Sequence, residues 1–242
     1  MKLSFGIDKI IPNKYRIRLL QAFVLAVSIF GTLYYGLEGL LYSIIIYIFM
    51  NIFCGNATLH RYYGHRAFEM STWKKNILTC LTHTMTVGSV LGWTGHHRWH
   101  HKYSDTEKDI HSPTVNGIYH ILFKVWDVNI PRSMVKDLLK DSTIVKWHKN
   151  YFKWHLFVIA ILTLINPWLL VYVYAVPNLL TLISGYIIAI VPHMSGDAEN
   201  SILTEILTFG EGGHKNHHDD SSNYRFSKYD ITAFAIEKFL KT

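Results

Sequence analysis

The chain has 242 residues, is 50% hydrophobic and 14% aromatic, and carries a net charge of +7. That length suits one domain with a sizeable core. The charge is uneven, at +4 over residues 1–18, +7 over 59–155 and −3 over 194–242. The basic stretches border apolar runs, so they point to anionic lipid headgroups and exclude nucleic acid as the partner. Met1-Lys2-Leu3-Ser4-Phe5-Gly6 leads into no apolar core with a small-residue cleavage site, so no signal peptide is expected. Cys54 and Cys80 lie in apolar surroundings and read as buried free thiols.

Charge-free intervals organise the chain. Leu19–Leu37 and Gly39–Leu59 are nineteen and twenty-one residues long, each close to the roughly 20 residues a helix needs to span a bilayer. Asn76–His97 is also uncharged but rich in threonine, which fits an interfacial helix rather than a crossing. Trp154–Gly196 is forty-three residues without a charge, enough for two spans. Proline disfavours helix at the residue before it, so Tyr174-Ala175-Val176-Pro177-Asn178 is the expected turn. The expected architecture is all-α and integral to the membrane, one domain over residues 1–242. It has four transmembrane helices at about 19–37, 39–59, 154–174 and 178–196. A helical cap of residues 60–153 and 197–242 completes it. The basic segments place both termini and that cap in the cytoplasm.

Histidine is the outlier, with fifteen in the chain. His60 and His65 form an H-x4-H pair at the end of the second span. His97, His100 and His101 form an H-x-x-H-H box, and His214, His217 and His218 form another after the fourth span. Positions i, i+3 and i+4 share one helix face, so each H-x-x-H-H box is expected to aim at a common point. The i+5 histidine of the first box is rotated away. It either serves a second metal or is redirected by a helix end near Gly64. Eight imidazoles exceed the needs of one tetrahedral zinc and suit two metals. Sharing metals requires all three boxes on one side of the membrane, which holds only if Asn76–His97 does not cross.

These motifs resemble those of the membrane fatty-acid desaturases, above all the delta-9 acyl-CoA (stearoyl-CoA) branch. His60–Phe68 is similar to the family's HR-x-x-x-H-R-x-[FY] box. HRWHHKYSDTEKDIHSP, from His97 to Pro113, is similar to HRxHHxxxDTxxDPHS. Gly210-Glu211-Gly212-Gly213-His214 through His218 is similar to GEGxHNxHH, and Asp230-Ile231-Thr232 to the segment that follows it. The resemblance implies that the eight box histidines ligate two iron ions, with His193 as a ninth ligand. It implies an asparagine four residues before His193, holding a metal-bound water, where this chain has Ala189. His96 and Ile110 also replace an expected acid and proline.

The implied function is O2-dependent desaturation of a fatty acyl chain, carried as acyl-CoA or acyl-lipid, at a di-iron centre in the bacterial inner membrane or endoplasmic reticulum. Asp105, Asp109 and Glu211 would orient imidazoles as carboxylate acceptors. Trp93, Trp126 and Tyr119 are candidates for the tunnel wall or the core. His111 is the best site-adjacent candidate among the remaining His83, His96, His111, His120, His148 and His155. The sequence has no cytochrome b5 segment and no G-x-G-x-x-G, so electrons would come from a separate donor of cytochrome b5 or ferredoxin type. Two alternatives stay open: a membrane hydroxylase with the same metals, and a non-catalytic metal-binding protein.

Overall fold

The computed structural model describes residues 14–242, so the N-terminal segment in which no signal peptide is expected lies outside the described residues. These residues form helices and connecting turns, with one isolated bridge between Met70 and Lys241. Three helices are long and apolar enough to cross a membrane: α1 (Lys14–Tyr35), α2 (Leu40–Gly64) and α8 (Pro167–His193). Between α2 and α8 lie α3 (Thr72–Thr82), α4 (Val90–Tyr103), α5 (Pro113–Asn116), α6 (Ile118–Phe123) and α7 (Ser142–Ile165). After α8 come α9 (Ile202–Thr208), α10 (His214–Asp219) and α11 (Ile231–Ala235), the last continued by π-type turns over Ile236–Leu240.

The long helices are turned inside out relative to a soluble bundle. Leu25, Ile29, Phe30 and Leu33 on α1 and Leu41, Ile44 and Ile45 on α2 are exposed. Ser43, Asn51, Thr181 and Ser184 are buried on α2 and α8. Polar groups facing helix neighbours and apolar groups facing outward is the pattern a hydrocarbon solvent imposes. Ser43 Oγ donates to Tyr172 O at 2.8 Å, and Asn51 Nδ2 to Ser184 Oγ at 3.0 Å. Gly39 lets α8 approach the start of α2, because a Cβ there would sit 2.2 Å from the Tyr172 ring.

Two expectations need correction. The chain does not turn at Tyr174–Asn178, which is helical; it turns at Asn166, and α8 runs on from Pro167. Asn166 caps the new helix by accepting from Trp168 N at 2.9 Å, and Pro167 occupies the first turn, where its missing N–H costs nothing. Pro177 is then accommodated inside α8 because the turns before it, Leu170–Ala175, are π-type. Their wider i→i+5 pairing leaves room for a ring that clashes with the carbonyl four residues back in an α-helix. The expected spans 154–174 and 178–196 therefore become α7, whose uncharged part is only its second half, and one long α8.

The other correction concerns Asn76–His97. It is two helices, not one, broken at His83–Ser89, where Gly88 takes φ +93° and Ser89 Oγ caps α4 by accepting from Gly92 N at 3.2 Å. Neither piece is long enough to cross a membrane.

Candidate metal centre

The first histidine box is built by an unusual backbone. Met50–Gly64, the second half of α2, is a π-helix. In that register residue i+5 lies one turn above residue i, as i+4 does in an α-helix, and His65 N donates to His60 O at 3.2 Å. The two rings accordingly stand 5.1 Å apart between centroids. The i+5 histidine is not rotated away to another metal; both belong to one group. Arg98 of α4 secures the helix end by donating to Gly64 O and Tyr63 O, each at 2.8 Å, and by pairing with Asp137 at 2.7 Å.

All nine expected ligands gather into two adjoining groups. His60, His65, His97, His101 and His217 form one, and His100, His193, His214 and His218 the other, with donor atoms in each group within 4.8 Å of one another. Neither H-x-x-H-H box aims at a single point. In α4 the i and i+4 residues, His97 and His101, join the first group while i+3, His100, joins the second. In α10 the assignment is reversed, His214 and His218 joining the second group and His217 the first. At about 100° per residue, i+3 and i+4 fall on opposite sides of i, so one helix turn serves two centres. The seam between the groups is the stacked pair His101–His218, 4.2 Å between centroids.

Carboxylates fix the rings. His60 Nδ1 lies 2.8 Å from Glu211 Oε2, His100 Nδ1 2.9 Å from Asp109 Oδ2, and His193 Nδ1 2.8 Å from Asp105 Oδ2. A carboxylate only accepts, so each Nδ1 carries the proton and each Nε2 keeps its lone pair. Asp105 is buried in this pair rather than solvated. Those Nε2 atoms then crowd together: His60 to His217 at 2.9 Å, His217 to His101 at 2.9 Å, His193 to His214 at 2.9 Å and His65 to His97 at 2.6 Å. Two nitrogens each about 2.1 Å from one metal at right angles are about 3 Å apart, so the donor set fits metal ions.

A family model for fatty acid desaturases matches residues 36–231. The chain belongs to the fatty acid desaturase family. It is 30% identical over 192 residues to a hex-5-enoyl-[acyl-carrier protein] acetylenase of Moorena producens, covering 66% of this chain and 60% of that one. It is 32% identical over 178 residues to the sn-1 stearoyl-lipid 9-desaturase of Synechocystis, covering 66% and 54%. It is 26% identical over 216 residues to the delta(9)-fatty-acid desaturase fat-7 of Caenorhabditis elegans, covering 78% and 63%. The chain thus spans about three fifths of the length of these relatives.

Against the histidines of this desaturase-family chain lies a cavity of about 140 Å³, lined by the apolar Leu59, Met85, Val87 and Ile188 together with His60, His97, His100, His193 and His214. A second cavity of about 90 Å³ shares Val87, Trp93, His111, Gly185 and Ala189 with it. Trp93 stacks on His97 at 4.6 Å and Trp126 lines the second cavity. Tyr119 is exposed and faces neither. Sequence reasoning missed Arg61, which is fully buried beneath the site. It donates to Glu211 Oε1 at 3.1 Å and Asp230 Oδ1 at 3.0 Å, with its guanidinium 4.0 Å from the Phe226 ring centroid. The arginine after the first histidine of the HR motif was the available signal. Gly212 belongs to the same frame, since a Cβ there would lie 2.3 Å from Glu205 N and Ser201 O.

Burial and then the neighbouring imidazoles push His97, His214 and His217 well below the usual histidine range, and His218 to about 3. They are neutral at pH 7, the form that ligates metal. Away from the centre, burial is the main cause that takes His83, stacked on Trp147 at 4.9 Å, to about 4. Unfolded histidines take protons near pH 6.5 and these buried ones do not, so stability falls as pH drops from 6.5 toward 4. Each pKa unit is worth about 1.4 kcal/mol. Thermal unfolding of the metal-free chain in detergent is expected to lose at least about 2 kcal/mol between pH 7 and 4.5, from His83 and the unligated box histidines together. A flat profile contradicts this.

Proposed function

We propose that the chain is an O2-dependent fatty acyl desaturase of delta-9 type, with all nine histidines as ligands of two irons. The observation that carries this is the pair of adjoining imidazole groups set over an apolar cavity. Irons held there would supply the redox chemistry that activates O2 and removes two hydrogens from adjacent methylenes. The protein cannot serve as acid or base toward such C–H bonds, so its residues work by placement. Asp105, Asp109 and Glu211 keep Nε2 lone pairs directed at the ions. Leu59, Met85, Val87 and Ile188 exclude water and lay the acyl chain beneath them. The names of the relatives include both an acyl carrier protein and a lipid, and the carrier on this chain, acyl-CoA among the options, is set by contacts outside the cavity. Electrons come from a separate donor of cytochrome b5 or ferredoxin type.

In this reading α7 is a fourth crossing. His60 and His193 hang from the C-terminal ends of α2 and α8 and line one cavity, so the two helices run in the same direction. The chain between them must return to the far side. The 24 residues of α7 extend about 36 Å, more than the roughly 30 Å hydrocarbon core. Lys146, Lys149 and Lys153 occupy its first half, where they can reach headgroups. The histidine groups and both termini then face the cytoplasm.

Expression in a host lacking desaturation, followed by fatty-acid profiling with and without O2, tests the assignment. Monounsaturated chains that need O2 are expected. A product carrying an added oxygen atom would make the protein a hydroxylase instead, and bound zinc with no O2-dependent product would make it non-catalytic.

A further inference from the structure

The two histidine groups are unequal, five imidazoles against four. One more histidine borders the smaller group without joining it. His111 lines the cavity together with His100, His193, His214 and Ala189. Its backbone N–H donates to Asp109 Oδ1 at 2.8 Å, and the same carboxylate holds His100 Nδ1 at 2.9 Å. One acidic group therefore fixes both the His100 ring and the loop that carries His111. The His111 ring itself has no hydrogen-bond partner among the described residues, while an Ala189 side chain offers no polar atom to the same space.

Spacing sets the role. Neighbouring rings within the four-histidine group lie 4.7–5.1 Å apart between centroids. His111 lies 5.5 Å from His100 between centroids, and its donor nitrogen groups with those of His100 and Asp109 but not with those of His193, His214 and His218, so the ring borders the four-histidine site without joining its ligands. A separate ion between His100, Asp109 and His111 is disfavoured. Asp109 already accepts from the His100 ring, from His111 N and from Asp105 N at 2.8 Å.

We propose that His111 is a positioning residue for the four-histidine metal. It holds a solvent ligand in that ion's open position and does from the loop after α4 what an amide at position 189 would do from α8. The proposal rests on the two-metal reading above, and cobalt(II) binding separates the two. The full chain, purified in detergent and stripped of metal, is titrated with Co(II) against a chelator while its visible absorption is recorded.

Wild type is expected to bind two ions. His111→Ala should weaken one of the two by about 10–100-fold and change its absorption band. His111→Gln, whose amide can still hold solvent, should stay within a few-fold of wild type, and Ala189→Asn should restore most of the affinity lost in His111→Ala. The thermal midpoint of each metal-free variant checks that it folds. Unchanged affinity and absorption in a folded His111→Ala chain overturn the role of His111 while leaving two-metal binding intact. A wild-type chain that takes up no cobalt overturns the two-metal reading itself.

Discussion

Replacing His217 with alanine is expected to abolish turnover, by more than about 100-fold, in a chain that still folds and enters the membrane. His217 Nε2 lies 2.9 Å from the Nε2 atoms of both His60 and His101, so its loss removes the donor common to two helices. It belongs to the five-histidine group although its own helix mainly serves the other. Outer carboxylates alone are worth 10–100-fold in metal affinity, and a ligand is worth more. The fold should survive, because α10 is held from outside the centre. Asn216 Nδ2 donates to Phe226 O at 2.8 Å, and Asn200 Oδ1 accepts from Lys215 N at 3.0 Å. Fatty-acid profiling and metal content are the measurements, with His120→Ala as the control expected to behave as wild type. Full activity in His217→Ala would remove that residue from the ligand set.

The largest effect on stability is expected at Arg61. Its guanidinium is wholly buried and bridges two carboxylates, Glu211 and Asp230, that are themselves buried. Arg61→Ala leaves both acids without their cation. Breaking a buried pair in this way costs about 3–5 kcal/mol, enough to keep the chain from accumulating in membranes. Arg61→Lys should recover only part of that, since a single ammonium cannot fork between two acids. The combination of Arg61→Met with Glu211→Gln and Asp230→Asn should restore much of the thermal midpoint. It should still bind metal weakly, because Glu211 also holds His60. Thermal unfolding in detergent separates these cases, and an Arg61→Ala chain as stable as wild type would contradict the argument.

Eight of the nine histidines that gather here were legible from the sequence, because imidazole spacing on a helix is a short-range property that needs no tertiary information; His193 was legible only through the family resemblance. It also offered Asp105, Asp109 and Glu211 as acceptors for the rings, and the structure sets each beside a histidine Nδ1. How the boxes divide was hidden. The i, i+3, i+4 pattern shares a face, yet whether that face meets one centre or two depends on where the opposing helix lies. Helix boundaries failed for another reason. Trp154–Gly196 contains no charge to mark its turn and offers three prolines, Pro167, Pro177 and Pro192. Pro177 divides the interval most evenly, but the capping asparagine before Pro167 is the better guide.

The π-register of Met50–Gly64 bears on which changes this box can tolerate. Spacing and backbone form are coupled there. Deleting one residue between His60 and His65 would give a gap matched to an ordinary α-helix, and the two rings could still stack. Inserting a residue would match neither winding. The box should therefore accept shortening more readily than lengthening, and a gap that looks out of phase with helical periodicity is the imprint of a wider coil.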